Sequence, residues 1–599
     1  MKKQLPKREE LNINYTWDMT NIFKTEDLYK EAFDEVERMV DDFVLEFENK
    51  LNTIELINES LTKYQTIQGY FSRLGAYGSL QTSTDSINEE NQMRQGKAMM
   101  RFQAISKKLA FYNNELKDQS DDLLNEAASM NLDNSYTLKE IIEDKKHTLS
   151  REVEKTLVAL SPVINTSYGL YNRFKLADMA FNDFIVDGKT YANSFTLFEN
   201  EYEYEENTEV RRKAYETFYA KLKEYQHGFA NNYQNHVQKE KIMSELRGYK
   251  NVYDYLLDDH KVTKDFMDRQ IDLIMERLAP AMRRYARLLK DIHNLDKMTY
   301  ADLKLAVDPS YEPKVTIEES KALLMEGLSI LGPEYGKIVS RAFDERWIDF
   351  PQNVGKSTGG FCSSPYGIPS YILLNWNGQM DEAMVLAHEL GHAGHFQYAN
   401  SHQTILNTRP SMYFIEAPST TNELLMANHL IRKAKTEREK TWLKSVKISR
   451  TYYHNFVTHL LEAAFQREVY DRVDQKQPLS ANLLNSLKLE VLRKFWGDTV
   501  EIPDYAGLTW MRQPHYFMGL YPYTYSAGLT LGTKVSKMIE TGELKPEAWI
   551  EVLKAGGTKT PLELAKMVNV DLSTDGPLNE VIDEISSIID EIIQDKSKQ

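Results

Sequence analysis

The chain of 599 residues has a single cysteine, Cys362, so no intrachain disulfide can form and a reducing cytoplasm is the expected compartment. Glycine (27) and proline (18) are sparse, which leaves few natural breaks in regular structure. No Gly/Ser linker, low-complexity tract or fixed-period repeat is present. Positive charge is in deficit, with 73 Lys and Arg against 89 Asp and Glu and a formal charge of −16. Nucleic acids and anionic membranes both demand a basic footprint, so neither is an expected partner. No apolar run approaches the roughly 20 residues that span a bilayer. The opening MKKQLPKREELNINY has a basic start but lacks the apolar stretch of a secretory signal. No feature indicates an oligomeric state.

Helical periodicity is abundant. In residues 25–50, Leu28, Phe33, Val36, Met39, Val40, Phe43, Val44 and Phe47 recur at helical spacing among acidic residues. Similar patterns predict helices over 53–80, 85–118, 137–160, 207–246 and 262–293. Strand signals are few: a hairpin over 182–197 around Asp187-Gly188, and a buried strand at Tyr371-Ile372-Leu373-Leu374 inside the Gly/Ser/Pro-rich stretch 355–378. The expectation is a mainly α protein with a small β element. A soft boundary at 180–205 suggests an N-terminal helical lobe (1–200) and a second region (201–599).

Thirteen histidines are thinly spread, yet three fall in LAHELGHAGHF, residues 386–396. His388-Glu389-Leu390-Gly391-His392 sets two imidazoles four apart, on one face of a helix predicted over 381–398. Two imidazoles so placed can occupy two corners of a tetrahedral zinc site, with Glu389 as a base for water that the metal acidifies. At this composition the pattern arises by chance about 0.04 times. Gly391 costs roughly 1 kcal/mol in a helix interior, which makes sense if another backbone or a substrate comes close. A catalytic zinc needs a third protein ligand. The metzincin position is Tyr398, which rules that arrangement out. His395 shares the histidine face, but a straight helix does not wrap three successive turns around one ion. The acidic candidates are Glu416 and Glu423 in FIEAPSTTNELL (414–425), seven apart on one face of a helix expected to begin near Glu416, with Pro418 in its first turn, and to run to about 434.

HELGH followed by FIEAPS resembles the thimet-oligopeptidase-like zinc metallopeptidases. YTWDMTNIF (15–23), WIDFPQNVGKSTGGF (347–361), SYILLNWNG (370–378) and GGTKTPLEL (556–564) are similar to further family segments, so the likeness runs from about residue 8 to about 590. It implies a large multi-helix zincin-type fold, two helical lobes around a deep substrate channel, and one Zn2+ per chain. It implies Glu416 as the third ligand and Glu423 as a residue that orients a ligand histidine; His395, from its place on the histidine face alone, is expected to support the ligands, to face the substrate or to be simply a polar residue of that face. HYFMGLYPYTYSAG (515–528) resembles the family's glycine-containing loop, whose histidine and tyrosines bind substrate and steady the oxyanion. His515 fits. The relatives' tyrosines fall five and twelve residues later, where this chain has Leu520 and Ala527; Tyr521 and Tyr525 are the expected substitutes, with Tyr523 beside them as a substrate contact. Gly359, Gly360 and Phe361 are expected to hold an extended peptide against a sheet edge.

The function expected is zinc-dependent hydrolysis of internal bonds in short oligopeptides. A metallocarboxypeptidase is the nearer rival, and a non-catalytic peptide-binding scaffold the more distant one. Glu389 weighs against the scaffold, since a purely structural site has no use for a base beside its ligands.

Overall fold

The computed structural model describes residues 5–598 and is built almost wholly of helices. The first predicted helix spans Glu26–Phe47. Thr25 caps it by accepting from the Leu28 N–H, and it buries Tyr29, Phe33, Val36, Val40, Phe43 and Phe47 on one stripe. Helices Ile54–Thr84 and Glu89–Asp118 pack against it and enclose a first hydrophobic core. Asn207 caps the 39-residue helix Thr208–Leu246, close to the expected 207–246.

Two predicted helices are interrupted. The span 137–160 divides into Leu132–Asp144 and Arg151–Ile164. At the break His147 stacks on Tyr249 at 3.6 Å, and Arg247 holds both the His147 carbonyl (3.1 Å) and Glu154 (2.8 Å). These ties to a distant helix outweigh local continuation. The span 262–293 carries a wider π turn, Ile274–Leu278, between Lys264–Leu273 and Ala279–Ile292. Pro280 follows immediately and has no N–H to return to the preceding turn.

The expected hairpin forms as Phe184–Val186 and Lys189–Tyr191; Asp187 (φ 49°) and Gly188 (φ 74°) both take the positive φ that a type I′ turn requires. A three-stranded sheet places Tyr371–Leu373 at its centre, parallel to Ile348–Asp349 and antiparallel to Phe361–Ser363. Alternate residues of a strand face opposite sides. Tyr371 and Leu373 join the first core, while Ile372 and Leu374 join a second, larger one. The central strand is thus the seam between two lobes. The N-terminal segment is laid over it, with the Trp17 Nε1–H donating to the Ile372 carbonyl (2.8 Å) and buried Asp349 paired with Arg8 and Lys356.

Tyr171, Phe184, Phe195, Phe198 and Tyr202 pack into the larger core, whereas the smaller one reaches Ile141. The aromatics after the hairpin pack on the long helix Thr208–Leu246, with Phe195 and Phe198 against Phe218. Among the described residues no helix is long and apolar enough to cross a membrane.

Candidate active site

The histidine helix spans Met380–His402, and a second helix, Ala417–Lys433, crosses it. The crossing is close because Gly391 has no side chain: a Cβ there would lie 2.5 Å from both the Pro418 carbonyl oxygen and the Ser419 Cα. Pro418 sits in the first turn of the second helix, where a missing N–H leaves nothing unsatisfied. Glu416 immediately precedes that helix. A third helix, Tyr523–Thr541, meets it at Gly528, where a Cβ would fall 2.6 Å from the Glu416 Cβ.

These contacts bring His388, His392 and Glu416 together. The Nε2 atoms of the two histidines each lie 3.4 Å from Glu416 Oε2. The Nδ1 of His388 is 3.2 Å from Glu423 Oε2; since a carboxylate only accepts, Nδ1 carries a proton and Nε2 is the nitrogen available to a metal. Thr451 donates to the other Glu423 oxygen. Ser419 Oγ donates to Glu416 Oε2 at 3.0 Å, and Tyr521 OH approaches Glu416 Oε1 at 3.4 Å. Burial alone would raise the Glu416 pKa, but His392 and His388 overcome it and hold the carboxyl well below its usual range. Glu389 is buried too, and burial raises its pKa against the opposing pull of His388 and His392. Two donors bound at about 2.1 Å on a tetrahedral zinc lie about 3.4 Å apart. The donor set and its spacing fit that ion.

The site opens on a cavity of about 990 Å³ between the lobes. Ser72, Gly75, Ala76 and Ser79 of helix Ile54–Thr84 form one wall; Gly360, with Phe361 and Cys362 of the sheet's edge strand, forms another. His388, Glu389, His392, Glu416, Tyr521 and Tyr525 all line it. Burial raises the pKa of Tyr521 and Tyr525, so both remain O–H donors through neutral pH. His515 stands just behind them, its Nε2 3.5 Å from the Tyr525 hydroxyl.

Three of the expected contacts lie off the cavity wall. Tyr523 does not reach the cavity: it is 1% exposed and its hydroxyl pairs with His260 Nδ1 at 2.8 Å. The segment expected as a loop becomes helical at Tyr523, and two helical residues are a rotation of roughly 200°, which turns Tyr523 away from the face of Tyr525. His395 supports no ligand by hydrogen bond. It is fully buried between Phe396 and Phe414, neither ring nitrogen has a hydrogen-bond partner, and burial lowers its pKa to about 3. Gly359 is exposed beside the cavity and gives its carbonyl to Asn375 (2.8 Å); only Gly360 and Phe361 of that trio line the wall. Thr451, His454, His459 and Glu462 were missed, although HNFVTHLLE (454–462) holds two of the thirteen histidines beside an acid.

The sequence profile of peptidase family M3 matches residues 201–584, and an oligopeptidase F profile matches 115–181. The chain belongs to peptidase family M3, a family of metallopeptidases. Within that family the likeness is to oligoendopeptidase F. Oligopeptidase PepF of Bacillus subtilis is 26% identical over 600 residues, covering 98% of this chain and 88% of its own. An oligoendopeptidase F homolog of Borreliella burgdorferi is 24% identical over 595 residues, covering 98% and 99%. Among solved structures, a chain from Chlamydophila abortus superposes with a TM-score of 0.84 at 21% identity, covering 99% of this chain and 100% of that one. Oligoendopeptidase-F from Enterococcus faecium gives 0.74 at 18% identity, covering 96% and 100%.

Proposed function

We propose that the chain is a zinc-dependent endopeptidase that cuts internal bonds of short oligopeptides. The observation that carries this reading is the equal 3.4 Å spacing of the His388 and His392 Nε2 atoms from Glu416 Oε2. His388, His392 and Glu416 would hold the zinc. When bound there, zinc supplies a Lewis acid that acidifies water and polarises the scissile carbonyl. Glu389 takes the proton of the attacking water and later delivers it to the leaving amine, two tasks suited to a carboxyl whose pKa burial has raised. Glu423 fixes the proton and orientation of His388.

Tyr521 and Tyr525, with His515 behind them, donate hydrogen bonds where charge develops on the carbonyl oxygen; such donors are commonly worth about 3 to 4 kcal/mol each. Gly360 and Phe361 hold the peptide backbone along the open strand edge. The relatives' names support oligopeptides as substrates, and enclosure of the cavity between two lobes supports the exclusion of folded proteins. The single cysteine supports a cytoplasmic location.

Glu389→Gln tests the role of the base. It is expected to retain zinc while kcat falls about 10³-fold. Zinc retention with substantial remaining turnover would place the base elsewhere.

A further inference from the structure

Behind the tyrosine wall lies a second His/Glu cluster, of which the reaction above uses only His515. His459, Glu462 and His515 bring three potential ligand atoms within 4.8 Å of one another, from an interior where His459 and Glu462 are each 2% exposed. Their spacing is uneven: His459 Nδ1 is 2.7 Å from Glu462 Oε2, and His515 Nδ1 is 4.0 Å from the same oxygen. The first distance is that of a charge-assisted hydrogen bond and is too short for two corners of a zinc tetrahedron. This cluster is a hydrogen-bonded relay and not a second metal site.

The relay has a direction. Glu462 is ionised, because His459 and His515 outweigh the burial that would otherwise raise its pKa. An ionised carboxylate only accepts, so His459 carries its proton on Nδ1. Its Nε2 then accepts from His454 Nε2, 3.0 Å away. Locked at both ends, the His459 ring forms a platform under Tyr525, with ring centroids 4.0 Å apart and planes inclined by 12°.

Glu462 acts on His515 in the same sense. The Nδ1 of His515 is buried, has no hydrogen-bond partner, and faces the Glu462 charge. That charge favours the proton on Nδ1, which leaves His515 Nε2 to accept from the Tyr525 hydroxyl at 3.5 Å. A contact this long is weak, and the hydroxyl can exchange it for a stronger bond to an oxyanion. We propose that Glu462, acting through His459 and His515, is a positioning residue that sets where the Tyr525 O–H points during peptide hydrolysis. A buried carboxylate that fixes the tautomer and orientation of a histidine is a known device of hydrolytic sites. The inference rests on the peptidase reading given above.

Glu462→Gln preserves size and an acceptor for His459 but removes the charge. The expected result is a kcat about 10- to 100-fold lower, with KM, zinc content and melting temperature close to wild type. Affinity for a phosphinic peptide, whose tetrahedral anion resembles the transition state, falls by the same factor. In a Tyr525→Phe background Glu462→Gln has less than about a threefold further effect, because the group it positions is gone. Wild-type kcat in Glu462→Gln, loss shared equally by KM, or an undiminished effect in the Tyr525→Phe background would each overturn the proposal. Should the Gln variant fail to fold, Glu462→Asp keeps the charge at a shorter reach and is read through the same cycle. A wild-type protein without zinc-dependent peptide cleavage would remove the peptidase reading first; an active wild type with an unaffected Glu462→Gln overturns only this inference.

Discussion

Two groups of two histidines and one glutamate stand on either side of Tyr525, and their geometry separates them. In the first, both Nε2 atoms are 3.4 Å from one Glu416 oxygen. In the second, the corresponding distances to Glu462 are 2.7 and 4.0 Å. Residue type alone would assign a metal to both. The equal spacing leaves room for an ion between donors whose lone pairs converge, with the His388 proton drawn away to Glu423. The unequal spacing closes directly into a hydrogen bond. Access differs as well: His388, His392 and Glu416 line the 990 Å³ cavity, whereas His459 and Glu462 are sealed behind Tyr525.

The contrast can be broken from either side. Glu416→Ala removes one corner of the first cluster, and zinc affinity is expected to fall by more than about 100-fold, since even residues supporting a ligand are worth 10- to 100-fold. Glu462→Ala is expected to leave zinc stoichiometry unchanged. Metal analysis after dialysis against a weak chelator checks both, and zinc loss from the Glu462 variant would erase the distinction.

Gly528→Ala is a subtler attack on the first cluster. Its Cβ would meet Glu416 Cβ at 2.6 Å and the Glu416 carbonyl carbon at 2.8 Å, so Glu416 must shift. Zinc affinity is expected to drop about 10-fold or more, because a ligand displaced by a few tenths of an ångström no longer meets the ion squarely. Competition with a fluorescent zinc chelator measures it. The smallest effect belongs to His395→Phe. A phenyl ring suits the aromatic slot between Phe396 and Phe414 and removes two buried nitrogens that lack partners. Zinc content and kcat are expected within about threefold of wild type, with thermal stability equal or higher; a large loss of metal would restore His395 as a support for the ligands.

Much of this was legible in the sequence where the signal is local. The four-residue spacing of His388 and His392, the first-turn proline after Glu416 and the seven-residue step to Glu423 all follow from helical geometry. Gly391 announced a close neighbour, and the neighbour is the backbone at Pro418 and Ser419. The Asp187-Gly188 turn was equally plain. What stayed hidden depends on how distant elements meet. His454 and His459 lie where the chain runs through the wide π turns Lys447–Tyr452 and His454–Thr458, which shift every later residue off the faces a 3.6-residue period predicts. Tyr523 sits between two cavity tyrosines in sequence yet points the other way once the segment turns helical. His395 shares a helix face with two candidate ligands, but the neighbouring aromatics close that part of the face.

The most direct measurement uses peptides of graded length with both ends blocked, incubated with the purified protein and analysed by mass spectrometry, with and without chelator. Internal cuts that cease on chelation, return with zinc and disappear above a length limit are the expected result. A zinc-loaded protein that leaves every blocked peptide intact would contradict the assignment of an endopeptidase.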